Sequence, residues 1–181
     1  MHSIVENIKQ YRAEHNDPNA LPKFRDQFVF LGNPGTGKTT MARIIADMFY
    51  ALGILPGGQL IEVTREDLVA KYVGGTAPKT RQVVESAMGG VLFIDEAYTL
   101  ASGDNANDFG REAINALLKP VEERRGDFVC IIAGYTKEML DFFDSNSGIP
   151  SRFNKRIEFR DYEPEQLTEI FRGTMKKEGY Q

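Results

Sequence analysis

The residues with the most specific chemistry are Gly32-Asn33-Pro34-Gly35-Thr36-Gly37-Lys38-Thr39. They fit the pattern G-x-x-x-x-G-K-[ST] of a phosphate-binding loop without a mismatch. Three glycines and a proline let the backbone curl so that its N–H groups point inward. A helix start behind them adds the partial positive charge that suits a phosphate. On this pattern Asn33, Pro34, Gly35, Thr36, Gly37, Lys38, Thr39 and Thr40 are the expected nucleotide-binding set. Lys38 reaches the β and γ phosphates, and the Thr39 hydroxyl supplies a ligand to Mg²⁺. The competing reading, a plain glycine-rich turn, has to ignore the flanks. Phe28-Val29-Phe30-Leu31 is a short β-favouring run before the loop, and Met41, Ile44, Ile45, Met48 and Phe49 recur at helical spacing after it.

A second signal is Val91-Leu92-Phe93-Ile94 running into Asp95-Glu96. An apolar strand here delivers two adjacent carboxylates to its C-terminal end, where open α/β sheets bind ligands. Asp95 is expected to hold Mg²⁺, directly or through water, and Glu96 to orient and activate an attacking water. A strand that merely leaves the core into solvent is the alternative, and the complete phosphate loop upstream weighs against it. The third signal is Arg152, in Gly148-Ile149-Pro150-Ser151-Arg152-Phe153. Hydrolysis at such a loop is slow unless extra positive charge reaches the γ-phosphate. Arg152 is the candidate, acting on the nucleotide of a neighbouring subunit, with Arg156 a weaker second. From spacing alone, a solvated arginine beside a buried Phe153 reads as well. The fourth is Lys71-Tyr72-Val73-Gly74-Gly75. An exposed aromatic on a glycine loop could grip a polypeptide, and a tyrosine packed under a turn fits the residues equally.

Three other patterns carry no function. Asp108-Phe109-Gly110 spells the magnesium motif of protein kinases, but neither an H-R-D catalytic loop nor a V-A-I-K strand accompanies it. The stretch from Asp104 to Asp108 resembles a calcium loop, but Ala106 sits at a ligand position and Phe109 replaces the required glycine. Met41, Met48 and Met139 fall on helix faces and read as core filler.

The elements that must position these residues follow from the pattern of apolar runs and breakers. Residues 3–15 read as an amphipathic helix with Ile4, Val5, Ile8 and Tyr11 on one side, and Asn16 to Pro22 as a turn-rich break. Strands are expected at Gln27–Leu31, Leu60–Thr64, Val91–Ile94, Phe128–Ala133 and Arg156–Phe159. Helices are expected after the phosphate loop to about Leu52, at Glu66–Lys71, from a capping Thr76 to Met88, from Asp108 to a stop or kink at Pro120, at Thr136–Asp144 and from Pro164. Ser145 to Pro150 reads as a loop. Strands alternating with helices predict an α/β fold with a five-stranded parallel sheet covered on both faces, the three-layer sandwich of P-loop NTPases.

The 181 residues favour one domain, with room for part of a second. A net charge of −4 offers no basic footprint for nucleic acid. No run of about 18 apolar residues suggests a membrane span, and the first residues lack a signal-peptide pattern. Cys130, the single cysteine, lies in an apolar run and reads as a core residue. His2 and His15 precede the core, so a histidine-built metal site is not expected. A reducing, cytoplasmic compartment fits all of this.

Taken together, the chain resembles the AAA+ ATPases, and within them the family of red-type Rubisco activases (CbbX) and stage V sporulation protein K. The resemblance rests on residues 32–40, on Glu62-Val63-Thr64-Arg65-Glu66-Asp67-Leu68-Val69, and on Tyr72-Val73-Gly74-Gly75-Thr76-Ala77-Pro78-Lys79-Thr80. It rests also on Gly89-Gly90-Val91-Leu92-Phe93-Ile94-Asp95-Glu96-Ala97-Tyr98, Ala133-Gly134-Tyr135 and Ser151-Arg152-Phe153. The phosphate loop is generic to many NTPases, whereas Thr-Ala-Pro-Lys-Thr and Phe-Ile-Asp-Glu-Ala-Tyr are far more specific to this group. The resemblance implies a hexameric ring that binds ATP and Mg²⁺, hydrolyses ATP between subunits and works on a protein client. It makes Glu96 the water-activating residue, Arg152 the finger acting in trans, and Tyr72, with Val73 and Gly74, the central-pore loop.

It also implies a division into an N-terminal helix and linker (1–22), a nucleotide-binding core (23–162) and the first helix of a truncated lid (163–181). On that reading the chain belongs to a longer protein and by itself binds nucleotide weakly and assembles poorly. Many AAA+ proteins sense the γ-phosphate with an Asn or Thr after the fourth strand. Ala133-Gly134-Tyr135-Thr136 stands there, which leaves only Thr136 as a guess. A nucleotide-gated assembly module with slow incidental hydrolysis is the alternative function. A small-molecule phosphotransferase is disfavoured because the Asp-Glu pair suits water as acceptor.

Overall fold

The computed structural model describes residues 2–17, 23–101 and 109–179. Helix α1 (His2–Glu14) precedes the first strand. Strands β1 (Phe28–Gly32), β2 (Leu60–Val63), β3 (Val91–Ile94), β4 (Val129–Gly134) and β5 (Lys155–Phe159) make one sheet in the order β2-β3-β4-β1-β5. All four pairings are parallel, as the alternation of strands and helices predicts. Helices α2 (Lys38–Ala51), α3 (Arg65–Leu68), α4 (Thr76–Ser86), α5 (Gly110–Glu123), α6 (Thr136–Ser145), α7 (Gly148–Arg152) and α8 (Pro164–Lys177) connect or follow the strands.

Three strands are buried on both faces, which is why they read as unbroken apolar runs. Along β3, Leu92 and Ile94 join a core with residues of α4, α5 and α6, while Val91 and Phe93 join a separate core with α2. Strands β1 and β4 split in the same alternating way. Helix α2 seals its face with Ala42, Ile45, Ala46 and Phe49, spaced to fall on one stripe. Each large side chain so buried contributes about 1.5–3 kcal/mol. Edge strands tolerate charge, and β5 exposes Lys155, Arg156 and Glu158.

Register decides where the functional ends of the strands meet. Ile94 pairs with Ile132, and β4 continues past that pair to Gly134, which pairs with Leu31 at the mouth of the phosphate loop. The ends of β3, β4 and β1 therefore open onto one edge of the sheet.

Several local expectations are corrected. Thr76 does not cap α4. Gly75 does, and Thr76 is the first helical residue, buried, with its hydroxyl accepting from the Ala70 N–H at 3.0 Å. Of the stop or kink allowed for at Pro120, the stop does not occur: helix α5 runs through it to Glu123, because a proline this near the C-terminus removes one hydrogen bond and leaves a single turn to complete. The expected loop from Ser145 to Pro150 contains the start of α7, and a 3₁₀ turn, Ala97–Ala101, follows the Asp-Glu pair. Asp108, expected as a cap, and the neighbouring calcium-like stretch lie outside the described residues, as does the turn-rich stretch 18–22. Helix α8 starts as expected, with Pro164 in its first turn and the Gln166 side chain accepting from the Glu163 N–H at 2.9 Å.

Candidate functional site

The phosphate loop turns at Gly35 and Gly37, whose φ values of 73° and 90° lie in the left-handed region that glycine adopts without penalty. Gly37 is the N-cap of α2, so the first free N–H groups of a 14-residue helix face the loop. Lys38 folds back across the curl, its Nζ donating to the carbonyls of Gly32 at 2.8 Å and Asn33 at 2.7 Å. Burial lowers the Lys38 pKa from its ordinary value, against the upward pull of the Asp95 and Glu96 carboxylates.

The loop is braced from both sides. The Thr36 hydroxyl donates to the Asn33 carbonyl at 2.7 Å. The Asn33 amide donates to both Asp161 oxygens at 3.0 Å, and the Tyr162 hydroxyl donates to the Thr36 carbonyl at 3.2 Å. Asp161 and Tyr162 are more than a hundred residues away in sequence, and no local pattern flags them. Thr39 is partly exposed and Thr40 exposed, both in the first turn of α2.

At the end of β3 the Asp95 N–H donates to the Val63 carbonyl at 2.9 Å, and Asp95 Oδ1 accepts from the Glu96 N–H at 3.0 Å. Glu96 has φ 49°, a left-handed conformation that costs a non-glycine residue about 1–2 kcal/mol. The turn is locked behind it. Thr99 donates to the Glu96 carbonyl through both its N–H, at 2.9 Å, and its hydroxyl, at 2.7 Å. Arg65 of α3 then donates to the Thr99 carbonyl. Backbone held in a costly conformation beside paired carboxylates is what a functional turn looks like.

A small cleft gathers these parts. It is lined by Pro34 and Lys38 after β1, Asp95 and Glu96 after β3, and Gly134 and Tyr135 at the end of β4. Tyr135, rather than Thr136, lines the cleft at the end of β4. Tyr98 packs beside it, with ring centroids 5.8 Å apart. Burial, then the Glu96 charge, pushes the Tyr98 phenol up to about 12. A larger cavity of about 660 Å³ lies between α4 and α5. It is lined by opposed charges, Arg81 and Arg124 with Glu85, Glu112 and Glu123, and the Glu112 carboxylate already accepts from the Ala77 N–H at the start of α4 at 3.0 Å. The small cleft, not the large one, has the convergent chemistry.

The Thr39 hydroxyl and Asp95 are hard oxygen donors of the kind Mg²⁺ takes, and Mg²⁺ uses one or two protein ligands together with phosphate and water. Among the described residues no group of three or more His, Cys, Asp or Glu could hold a metal.

The remaining expected residues lie elsewhere. Arg152 sits on α7, donating to the Gly148 carbonyl at 3.1 Å, with its Nε 3.6 Å from a Glu122 oxygen on α5. It does not line the cleft that holds Lys38. Arg156 stacks its guanidinium over Phe143 at 4.8 Å. Tyr72 lies against Gly75 but is 70% exposed, and Val73 is 83% exposed, so the loop that also carries Gly74 presents its side chains to solvent. Cys130 is fully buried, and burial pushes its thiol pKa up. No helix among the described residues is long and apolar enough to cross a membrane.

Comparison with known proteins finds relatives for most of the chain. The model of the ATPase family associated with various cellular activities (AAA) matches residues 28–161. The chain is 53% identical to a chloroplastic ribulose bisphosphate carboxylase/oxygenase activase of Cyanidioschyzon merolae, over 84% of this chain and 52% of that protein. It is 52% identical to Protein CbbX of Cereibacter sphaeroides, over 84% of this chain and 49% of that protein. Stage V sporulation protein K of Bacillus subtilis is 48% identical, over 96% of this chain and 53% of that protein. The chain thus spans about half the length of these relatives. Among solved structures, the FIGL-1 AAA domain in complex with ADP shares the fold, with a TM-score of 0.60 at 21% identity over 92% of this chain and 53% of that one.

Proposed function

The chain belongs to the AAA ATPase family, and from that premise we propose that it binds ATP with Mg²⁺ in the cleft after β1 and hydrolyses it to drive work on a protein client. The observation that carries this reading is the cleft itself. Three segments far apart in sequence bring a lysine with a helix start, two carboxylates and a tyrosine to one place. The phosphate-loop N–H groups and Lys38 bind the β and γ phosphates and hold the γ-phosphorus in line for attack. Glu96 takes a proton from water as its oxygen bonds to the γ-phosphorus and the bond to the β–γ bridging oxygen breaks, leaving ADP and phosphate. Mg²⁺, held by Thr39 and Asp95, supplies charge neutralisation on the phosphate oxygens when bound.

Arg152, absent from its own chain's cleft, acts on a neighbour's nucleotide in a ring, for which the family's hexamer is the pattern. Its present bonds to Gly148 and Glu122 must then be exchanged for a phosphate. Residues 23–162 form the nucleotide-binding core. The exposed Tyr72-Val73-Gly74 loop favours a client-gripping motor over a module that only assembles. A Rubisco activase and a sporulation protein are similar to this chain at 53% and 48% identity over most of its length, which supports reading it as the shared motor, with the client read elsewhere in such proteins.

Two variants test the site. Glu96→Gln keeps Mg·ATP bound while turnover falls at least about a hundredfold, whereas Lys38→Ala loses nucleotide affinity. Calorimetry and phosphate release check both, and undiminished hydrolysis by Glu96→Gln removes Glu96 from its role.

A further inference from the structure

Glu96 is exposed, yet its backbone is held at φ 49°, a conformation that a residue with a Cβ does not adopt unaided. Relaxing to the right-handed region would re-aim its Cα–Cβ bond, and with it the carboxylate that lines the cleft beside Lys38. The two Thr99 bonds to the Glu96 carbonyl are local. The 3₁₀ turn they close, Ala97–Ala101, is a short element with poor hydrogen-bond geometry and little stability of its own.

Arg65 holds this turn from outside. It is the first residue of α3, 34 positions before Thr99, and its Nη1 donates to the Thr99 carbonyl at 2.5 Å. Thr99 in turn donates to the Glu96 carbonyl through its N–H at 2.9 Å and its hydroxyl at 2.7 Å. The outer donor is a cation, and a charge-assisted bond is strong enough to offset the left-handed penalty. Helix α3 does not itself call for a cation there. Thr64, Glu66 and Asp67 suit a helix start, whereas a positive charge opposes the dipole. Gly110, the first residue of α5, closes over the contact. A Cβ on it would stand 2.0 Å from the Leu100 carbonyl oxygen and 2.7 Å from Arg65 Nη1, so α5 begins flush against both the turn and the guanidinium.

We propose that Arg65 is a positioning residue for hydrolysis: its bond to Thr99 keeps the turn after Asp95 closed and holds Glu96 in the left-handed conformation that presents its carboxylate to the cleft. The inference rests on the reading of Glu96 as the water-activating group. Arg65 does not line the cleft and acts only through the turn. A general base must lie within hydrogen-bond reach of the proton it takes, and a displacement of about 1 Å costs on the order of a hundredfold in rate.

The test is a double-mutant cycle on Mg·ATP hydrolysis under single-turnover and steady-state conditions, with ADP affinity from calorimetry. Arg65→Gln keeps a polar side chain and removes the charge and the reach. It is expected to lower kcat by roughly ten- to a hundredfold while KM for ATP and Kd for ADP stay within about twofold. In a Glu96→Ala background the same change is expected to cost nothing further, because the group it positions is gone. Unchanged turnover, a loss of ADP affinity matching the loss of kcat, or an equal loss in the Glu96→Ala background overturns the proposal. Wild-type turnover in Glu96→Ala alone overturns the reading of Glu96 and the proposal with it. The tie itself is read without turnover, by amide exchange. In Arg65→Gln the Thr99 N–H is expected to exchange at least about tenfold faster while the amides of β3 keep their rates. An unchanged Thr99 rate refutes the tie whether or not Glu96 is the base, and an equal rise along β3 would make Arg65 a support of the whole fold and overturn the proposal.

Discussion

Burial lowers the proton affinity of Lys38 while Asp95 and Glu96 raise it, and burial is the larger effect. A phosphate placed in the curl adds negative charge on the same side as the carboxylates, so nucleotide favours the charged amine. Tyr98 is displaced the other way. Its phenol titrates at about 12 in the folded chain, against about 10 in an unfolded one. Between those values the unfolded state has lost a proton that the folded state keeps, so stability from this group is present below pH 10 and falls as pH rises towards 12. Denaturant melts at pH 9, 10 and 11 are expected to show wild type losing more stability than Tyr98→Phe over that range. Parallel curves would contradict the shift. Arg152 marks the opposite case, a residue with a pattern-based role whose surroundings in the single chain are a carbonyl and a glutamate.

Among the elements, the short helix α3 and the start of α4 have an organisation that no single residue reveals. Thr76-Ala77-Pro78-Lys79-Thr80, one of the two stretches most specific to the family, clamps the base of the exposed Tyr72 loop. The Thr76 hydroxyl accepts from the Ala70 N–H, the Thr80 hydroxyl donates to the Leu68 carbonyl at 3.0 Å, and Lys79 donates to the carbonyls of Glu66 and Val69. Helical spacing puts Thr76, Lys79 and Thr80 on one face, so one turn of α4 holds both ends of the clamp. Arg65, at the start of α3, ties the same unit to the turn that carries Glu96. Thr76→Val keeps the volume but leaves a buried N–H unpaired, at a cost of about 1–3 kcal/mol. Amide exchange is expected to show Ala70 losing protection while β3 and β4 keep theirs. Unaltered protection at Ala70 would remove the clamp from the account.

At the scale of the whole molecule, stability resides in the two cores flanking the sheet and not in the surface that carries function. Phe93, 1% exposed and packed 6.4 Å from the ring of Phe30, belongs to the α2 face. Phe93→Ala is expected to cost about 3–5 kcal/mol. Phe171 on α8 is 64% exposed, and Phe171→Ser is expected to stay within about 0.5 kcal/mol. Chemical denaturation compares them directly, and similar losses would mean α8 is packed against something in solution. Helix α8 buries none of its residues here, and Leu167, Ile170 and Phe171 form an apolar stripe on it.

The sequence by itself determined the site's chemistry and the class of fold. Residues 32–39 and the Asp95-Glu96 pair need only local spacing and a preceding strand, and buried parallel strands announce themselves as apolar runs. It also determined five strands to within about a residue, β1, β3 and β4 because two-faced burial leaves little room for polar residues. Only the tertiary structure decided which residues meet. Strand order placed β4 between β1 and β3, which put Tyr135 in the cleft, and β5 beside β1, which put Asp161 and Tyr162 under the phosphate loop. None of these has a short-range signature, since each contact depends on register and on where a later segment crosses the sheet edge. Local pattern records what a residue is able to do, and packing sets what it does it to.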